Sequence, residues 1–205
     1  MKRKNGLAAV PEVNIRQMRL EDMPRVFKIG QQLFTPERWP TLYRAWDEYE
    51  ITELYGTDDE FCLVAETERG RVVGFALGAM MQKPQSAWRY GWLLWLGVAP
   101  HYAGRGIGGR LVHHITERFI EHGARMMLVD TDEENTEALE FFRQQGFGHE
   151  VRHIYLSKNF VHHPHYRAWR AAKQRARARR RRRVLTSQVV RGNAARAKLQ
   201  RRRHH

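Results

Sequence analysis

Residues 98–109 read VAPHYAGRGIGG, a stretch in which four glycines gather where an apolar run gives way to a helical pattern. A glycine has no Cβ, so the backbone N–H groups beside it can approach an anion closely. The first turn of a helix adds unpaired N–H donors and the positive end of the helix dipole. The stretch therefore predicts a phosphate-binding loop at the start of a helix.

The segments on either side of this loop predict a central strand and a helix. Residues 89–98 are apolar on both faces, as in a strand with a neighbour on each side. Strict alternation places Trp92, Leu94, Leu96 and Val98 on one face and Leu93, Trp95 and Gly97 on the other. Beyond the loop, an apolar residue recurs at every fourth position as far as Gly123, which predicts a helix that begins near Gly108.

The rest of the pattern predicts an α/β domain with an antiparallel front half. Short apolar or alternating segments predict strands near residues 13–18, 61–66, 71–81, 126–130 and 147–157. Helical spacing predicts helices at residues 22–34, 41–55 and 135–145, the first capped by Asp22 and the last by Asn135. The second and third strands join through Gly70 and form a hairpin.

Two other phosphate-binding motifs compete for the same glycines. Gly104, Gly106 and Gly109 formally match the dinucleotide fingerprint, and Asp130 follows after about 20 residues, where a ribose-binding acid would lie. Against this interpretation, the glycines do not follow the strand in a tight turn, and antiparallel strands precede them. A nucleotide triphosphate loop is excluded because Arg110, and no Lys-Ser or Lys-Thr pair, follows the last glycine. A merely flexible loop is the remaining alternative.

A second block, NTEALEFFRQQGF at residues 135–147, lies at a characteristic distance from the glycine loop. With both blocks in order, the sequence resembles the GNAT superfamily of N-acetyltransferases over residues 12–158. In that family a Val-x-Pro-x-Tyr lead-in precedes the pyrophosphate loop, and the next helix starts with Asn-x-x-Ala and ends with Gly-Phe. The resemblance implies a mixed, centrally splayed β-sheet flanked by helices, over residues 12–160, after an N-terminal segment of residues 1–11.

The resemblance also implies acetyl-coenzyme A as co-substrate and an acceptor amine that attacks its thioester directly. Backbone groups of Leu96, Gly97 and Val98 would contact the pantetheine arm, and Asn135 would also contact the cofactor. The pyrophosphate would be held by the loop residues Gly104, Arg105, Gly106, Ile107, Gly108 and Gly109. Gly97 has a second interpretation as a packing gap beside Trp95. Ala103 stands where the family usually has Gln or Arg, and this removes one side-chain contribution.

The implied chemistry requires a base, because an aliphatic amine has a pKa of about 10.4 and must lose a proton before it attacks. Asp130 occupies the position where members resembling the ribosomal-protein alanine acetyltransferases place a catalytic glutamate; Asp132 and Glu133 are the alternatives. Phe142 replaces the tyrosine that protonates the leaving thiolate in many members, so Tyr155 or a water is the substitute. No metal is expected, since the tail histidines lack zinc-site spacing.

The acceptor is indicated only by charge and by aromatic residues. No Lys or Arg lies between Arg44 and Arg69, and an acidic cluster lies in or just after the second predicted helix: Asp47, Glu48, Glu50, Glu53, Asp58, Asp59 and Glu60. In the family this region borders the acceptor cleft, so the cluster favours a cationic amine, although a solvated helix face explains it as well. The tryptophans proposed to wall the cleft are Trp39, Trp88, Trp92 and Trp95.

Charge divides the chain into a near-neutral body and a basic tail. Residues 161–205 contain 16 of the 36 Lys and Arg residues and none of the 22 Asp and Glu residues. With Tyr166 and Trp169 beside its arginines, the tail predicts contact with RNA or the ribosome through residues 166–183, as a helical or disordered extension. A catalytically weak protein that docks on nucleic acid through this tail is therefore the alternative to an active enzyme.

Composition sets the cellular expectation. Cys62 is the only cysteine, and it lies in an apolar run, so no intramolecular disulfide can form and a reducing cytoplasm fits best. The sequence has no long apolar segment that would indicate secretion or a membrane. It does not distinguish a monomer from a dimer.

Overall fold

A computed structural model describes residues 12–37, 46–82, 88–152, 154, 156 and 158–179. Its strands are β1 (Val13–Gln17), β2 (Cys62–Thr67), β3 (Val72–Gln82), β4 (Arg89–Val98) and β5 (Met126–Val129). Its helices are α1 (Met23–Leu33), α2 (Glu48–Thr57), α3 (Ile107–Glu121) and α4 (Thr136–Gln144). Residues 164–179 form a further helix, the tail helix.

The five strands form one mixed sheet in the order β1-β2-β3-β4-β5. The first four pair antiparallel with their neighbours, and β5 pairs parallel to β4. The chain crosses from β4 to β5 through α3, as a parallel pair requires. A doubly wound parallel sheet is therefore excluded, and the dinucleotide interpretation of the glycine loop is dropped with it.

Each face of the sheet buries an apolar cluster under helices. On one face, α3 contributes Leu111, Ile115 and Phe119, all at most 1% exposed. On the other face, residues of α1 and α2 such as Ile29 and Ile51 cover the sheet. The predicted α/β class with a mixed sheet flanked by helices is confirmed.

A β-bulge changes the predicted faces of β4. The pairing of β4 with β3 shifts between Leu77 and Gly78, and Leu94 is the unmatched residue on β4. Leu94 and Trp95 both pack in the cluster on the α1 side, whereas Leu93 and Leu96 pack on the α3 side. The prediction of strict alternation through β4 was therefore wrong, because an extra residue reverses the side-chain phase.

One predicted helix start and one predicted capping bond also need correction. The predicted helix at 41–55 begins at Glu48, after the N-cap Asp47, whose Oδ1 accepts from the backbone N–H groups of Tyr49 and Glu50. Residues 38–45 lie outside the described part of the chain. Asp22 precedes α1 but makes no capping hydrogen bond to it. Its carboxylate instead accepts hydrogen bonds from the Arg16 guanidinium.

Arg16 joins three segments of the domain through two bidentate pairs. Its Nη1 and Nη2 donate to Asp22 at 2.6 and 3.0 Å, and its Nε and Nη2 donate to Glu66 at 3.0 and 2.8 Å. Burial raises the pKa of Asp22, but hydrogen bonds from Arg16 and the Arg19 N–H outweigh it, so the net pKa is lowered. The hydrogen bond from Arg16 lowers the pKa of Glu66.

These lowered pKa values predict acid sensitivity. A carboxylate whose folded pKa is depressed stabilises the fold above its unfolded pKa, about 4, and loses that contribution as pH falls through the folded pKa. We expect the free energy of unfolding to fall below about pH 4. Arg16→Met should lower it by about 1–3 kcal/mol at pH 7, because two partly buried carboxylates lose their donor, and should flatten this acid limb. Urea unfolding of both proteins between pH 2 and 7 measures the effect; an unchanged limb in the variant would contradict it.

The predicted strand at 147–157 is wrong for the residues that the structure describes. Residues 147–152, 154 and 156 have no strand hydrogen bonds. A half-buried strand needs the alternating apolar pattern that this segment has. It also needs a neighbouring strand that pairs with its backbone N–H and C=O groups. The chain divides between Glu150 and Val151 into two compact units, and the tail helix belongs to the second.

None of the helices in the described ranges combines the length and the apolar character needed to cross a bilayer.

Candidate active site

The sheet opens between β4 and β5. β5 pairs only with Tyr90–Leu93, the first half of β4. In the second half, residues 94–98 have no β5 partner among the described residues, and residues 95–98 remain paired with β3. An unpaired strand edge presents N–H and C=O groups in a row, which an extended, amide-containing molecule can pair with. The predicted central splay of the sheet is confirmed.

The glycine loop follows the open half of β4. Gly104 and Gly106 have φ values of +70° and +73°, a left-handed conformation that glycine adopts without strain. No atom lies within 4 Å of the position that a Cβ would occupy on either residue. Gly106 is also the N-cap of α3, and no acidic residue lies in the first turn of that helix. The loop therefore combines accessible backbone N–H groups with the N-terminus of a 15-residue helix. Both features favour the binding of a diphosphate.

The other two glycines of the loop have a packing role. A Cβ on Gly108 would lie 3.3 Å from Cζ of Phe141, and one on Gly109 would lie 3.2 Å from Oε1 of Gln145. Both contacts are with α4 or the residue just after it, so these glycines let α3 and α4 approach closely. Gly104 and Gly106 shape the loop, whereas Gly108 and Gly109 set the distance between two helices.

Gly97 is also a packing glycine. A Cβ there would lie 2.8 Å from the ring of Phe75 and 2.9 Å from Leu33, closer than real Cβ contacts. The Cβ position of Gly97 points towards Leu33 of α1. This contact does not prevent the backbone N–H and C=O groups of Gly97 from facing the open edge of β4. The structure therefore gives Gly97 a packing role against Phe75 and Leu33, whereas the predicted neighbour Trp95 is not among the nearest side chains.

Asn135 caps α4, as predicted. Its Oδ1 accepts from the Ala138 N–H at 3.2 Å, and its Nδ2 donates to Thr131 Oγ1 at 3.2 Å. These bonds fix the turn that joins β5 to α4, beside the open end of the sheet.

Two tryptophans of β4 each donate to a carboxylate. Trp92 Nε1 donates to Asp130 Oδ1 at 2.9 Å, immediately after the end of β5. Trp95 Nε1 donates to Glu50 Oε1 at 3.1 Å, from α2 on the α1 side of the sheet. Asp130 is exposed and Glu50 half-buried. Both carboxylates are thus anchored to the strand that borders the gap.

The comparisons with known proteins agree with this geometry. The acetyltransferase (GNAT) family model matches residues 32–147. The chain belongs to this family. It is an acetyl-CoA-dependent N-acetyltransferase, and acetyl-CoA is its co-substrate.

This chain aligns with almost the whole length of several solved structures that share its fold. An aminoglycoside N-acetyltransferase, AAC(6')-Iy in complex with CoA, is 22% identical over 73% of this chain and 96% of that chain, with a TM-score of 0.58. The NatC complex bound to Gag peptide and CoA is 18% identical over 71% and 91%, with a TM-score of 0.61. Glucosamine-6-phosphate N-acetyltransferase from Arabidopsis thaliana is 18% identical over 73% and 99%, with a TM-score of 0.54.

The tryptophans predicted as cleft walls have different environments in this acetyltransferase. Trp95 is 4% exposed and packs among rings of Phe34 and Trp46, with centroids 4.8 and 5.0 Å away. Trp88 is half exposed and stacks on Tyr90. Trp39 lies outside the described residues. Trp46, which was not among the predicted wall residues, packs with its ring over Gly30, where a Cβ would clash with it.

The groups considered for the leaving thiolate are only partly described. Phe142 packs edge-on against Phe141 and Phe147, with centroids 5.1 and 5.3 Å away, and belongs to the core between α3 and α4. Tyr155, the predicted substitute acid, lies outside the described residues.

Neither a metal nor a cysteine nucleophile has support in the described residues. No group of three or more His, Cys, Asp or Glu side chains there could hold a metal ion. Cys62 is fully buried, and burial raises the pKa of its thiol to about 12. A thiol with this pKa is inert at neutral pH.

A surface cavity lies apart from this site. It measures about 480 Å³ and sits at the start of β4 and the end of α3. Its lining residues are Asp58, Glu60, Phe61, Met80, Arg89, Glu121, His122 and Gly123. None of these lining residues belongs to the glycine loop or to the open half of β4.

Proposed function

We propose that this acetyltransferase modifies a primary amine that carries positive charge: a peptide N-terminus, a lysine or a small cationic amine. The observation that carries the proposal is the pair of carboxylates, Asp130 and Glu50, held by Trp92 and Trp95 beside the open half of β4. Negative charge at the mouth of a site attracts a cationic substrate. Structural relatives include enzymes named for aminoglycosides and a complex with a bound peptide.

For the co-substrate, we assign the pantetheine arm to the backbone of Leu96, Gly97 and Val98, on the unpaired side of β4. The pyrophosphate is assigned to residues 104–109, with the N–H groups of the first turn of α3 as donors. Asn135 completes this set, and its capping bond with the Ala138 N–H fixes its side chain at the start of α4. Acetyl-CoA supplies the activated acetyl group.

Asp130 is the proposed general base. Its Oδ1 accepts from the Trp92 N–H, which fixes the carboxylate, and this carboxylate can take a proton from the ammonium group of the acceptor, through a water because the side chain is short. The neutral amine then takes the acetyl group directly. The thiolate that leaves receives a proton from water or from Tyr155.

The experiment that tests this proposal supplies acetyl-CoA with a panel of amines and measures release of the CoA thiol. The panel contains a polyamine, a lysine-containing peptide, an aminoglycoside and a neutral amine of similar size. We expect transfer to a cationic member and little transfer to the neutral one. Equal transfer to charged and neutral amines would contradict the assigned acceptor class.

A matched pair of variants tests the role of Glu50. Glu50→Gln keeps an oxygen for the Trp95 N–H but removes the charge, and we expect KM for the cationic acceptor to rise about tenfold with kcat nearly unchanged. Glu53→Gln removes the same charge from the exposed face of the same helix and should leave KM within twofold. Equal effects of the two variants would show that Glu50 has no special position.

A second candidate function rests on the tail. Six Lys and Arg residues and no acidic residue lie in the tail helix, and this favours contact with RNA or the ribosome. Such docking is compatible with catalysis. Acetyl-CoA binding without transfer to any amine would favour a protein that acts mainly by docking. Cys62 is the single cysteine of the sequence and is buried, and this supports a reducing cytoplasm as the location of the protein.

A further inference from the structure

The side chains of the tail helix are almost all exposed to solvent. Pro164 occupies its first turn, where a missing N–H costs nothing, and the Arg167 N–H donates to the His163 carbonyl at 3.1 Å. Alanine and arginine, both strong helix formers, make up most of the rest. Every residue from 164 to 179 is exposed except Tyr166, which is half-buried. The helix therefore relies on local propensity and presents its side chains outward.

One stripe of this helix collects its aromatic residues together with three of its cations. The stripe consists of Tyr166, Trp169, Arg170, Lys173 and Arg177. Their spacings from Tyr166 are 3, 4, 7 and 11 residues, which places all five on one face. The opposite face carries alanines with Arg175 and Arg179. The stripe is defined by helical geometry and not only by composition.

Contacts within the stripe hold its aromatic rings in place. The Tyr166 and Trp169 rings lie 5.6 Å apart at 35°, and Lys173 Nζ lies 4.7 Å from the Trp169 centroid. Trp169 is nevertheless 53% exposed. A partly fixed, exposed indole bordered by cations offers a surface on which a flat ring can stack while the cations meet its phosphates.

We propose that this stripe binds single-stranded RNA or DNA by stacking unpaired bases on Trp169 and Tyr166 and pairing phosphates with Arg170, Lys173 and Arg177. An anionic membrane fits less well, because the only large apolar side chains are two polar-tipped aromatics, and the rest of the helix is alanine and charge. A duplex fits less well because its bases are already stacked. The proposal rests on the second candidate function given above, the RNA contact of the tail helix, and names its binding surface; it does not depend on acetyl transfer.

Fluorescence anisotropy with a labelled 12-nucleotide uridine RNA tests the proposal on the full chain. Trp169→Ala should weaken binding at least fivefold at 0.15 M salt without changing the dependence of affinity on salt, because stacking carries no charge. Arg170→Gln with Arg177→Gln should weaken it at least tenfold and lower the slope of log affinity against log salt by about 1.4, or about 0.7 per phosphate.

The matched control removes two arginines from the opposite face of the same helix. Arg175→Gln with Arg179→Gln makes the same change in charge and should weaken binding less than threefold. Equal losses in the two double variants, together with no effect of Trp169→Ala, would overturn the stripe in favour of diffuse attraction. Tighter binding to a 12-base-pair duplex or to phosphatidylserine vesicles would overturn it in favour of those partners. Unchanged acetyl-CoA binding confirms that each variant is folded.

Discussion

Replacement of Asp130 by Asn should lower kcat/KM for the acceptor about 100-fold and leave acetyl-CoA affinity unchanged. Asn keeps an oxygen for the Trp92 N–H, so the hydrogen bond of 2.9 Å and the end of β5 should persist. It cannot accept the proton that an ammonium group must lose, and general base catalysis typically contributes 10²- to 10⁴-fold. Steady-state kinetics with the best amine of the panel measures the loss.

Two neighbouring carboxylates provide the controls for Asp130. Asp132 Oδ1 accepts from the Glu134 N–H at 2.9 Å and organises the turn before α4, so Asp132→Asn should change kcat/KM less than threefold. Glu133→Gln should have the same small effect. Full activity of Asp130→Asn together with a large loss in either control would move the base to that neighbour.

Replacement of Gly106 by Glu should reduce acetyl-CoA affinity at least 100-fold. A non-glycine residue at a φ of +73° costs about 1–2 kcal/mol, which would distort the loop. A carboxylate at this position would also stand before the N-terminus of α3, where the diphosphate is expected. Quenching of intrinsic tryptophan fluorescence during an acetyl-CoA titration measures the affinity.

Gly123 supplies the control for this variant. It also has a positive φ, +82°, but follows the other end of α3, about 25 Å from Gly106 along the helix. Gly123→Glu carries the same charge and a similar backbone cost, so it should lose stability but keep its acetyl-CoA affinity. Equal loss of affinity in both variants would mean that strain, and not the position of the loop, causes the effect.

The elements next to the glycine loop were predictable because their signals are local. β4 runs from Arg89 to Val98 as predicted, since a strand apolar on both faces has few alternatives. The cap at Asn135 and the loop before α3 also follow from short-range chemistry. The family resemblance added the splay between β4 and β5, which no property of the individual residues indicates.

The missed features depend on contacts between distant residues. The Trp95–Glu50 and Trp92–Asp130 hydrogen bonds span 45 and 38 residues and have no sequence signature. The bulge at Leu94 cannot be seen in an unbroken apolar run, yet it decides which side chains face α3. Asp22 looked like a helix cap because its partner Arg16 becomes a neighbour only when β1 and the start of α1 are in place.

The predicted strand at 147–157, which the described residues of that range do not form, shows the same limit. Alternating apolar residues show that one face of a segment can pack against a core, but a segment becomes a strand only when its backbone pairs with a neighbouring strand.

The glycines of the loop show the same limit, because one motif meets two different structural requirements. Gly104 and Gly106 are needed for their φ values, and Gly108 and Gly109 are needed because α4 is close.

Calorimetric titration of the intact protein with acetyl-CoA, in parallel with NAD, tests the central claim most directly. The open edge of β4 and the glycine loop predict saturable one-to-one binding of acetyl-CoA, competition by free CoA, and no heat with NAD. Absence of acetyl-CoA binding by protein that is folded by circular dichroism, or binding of NAD in its place, would contradict the account.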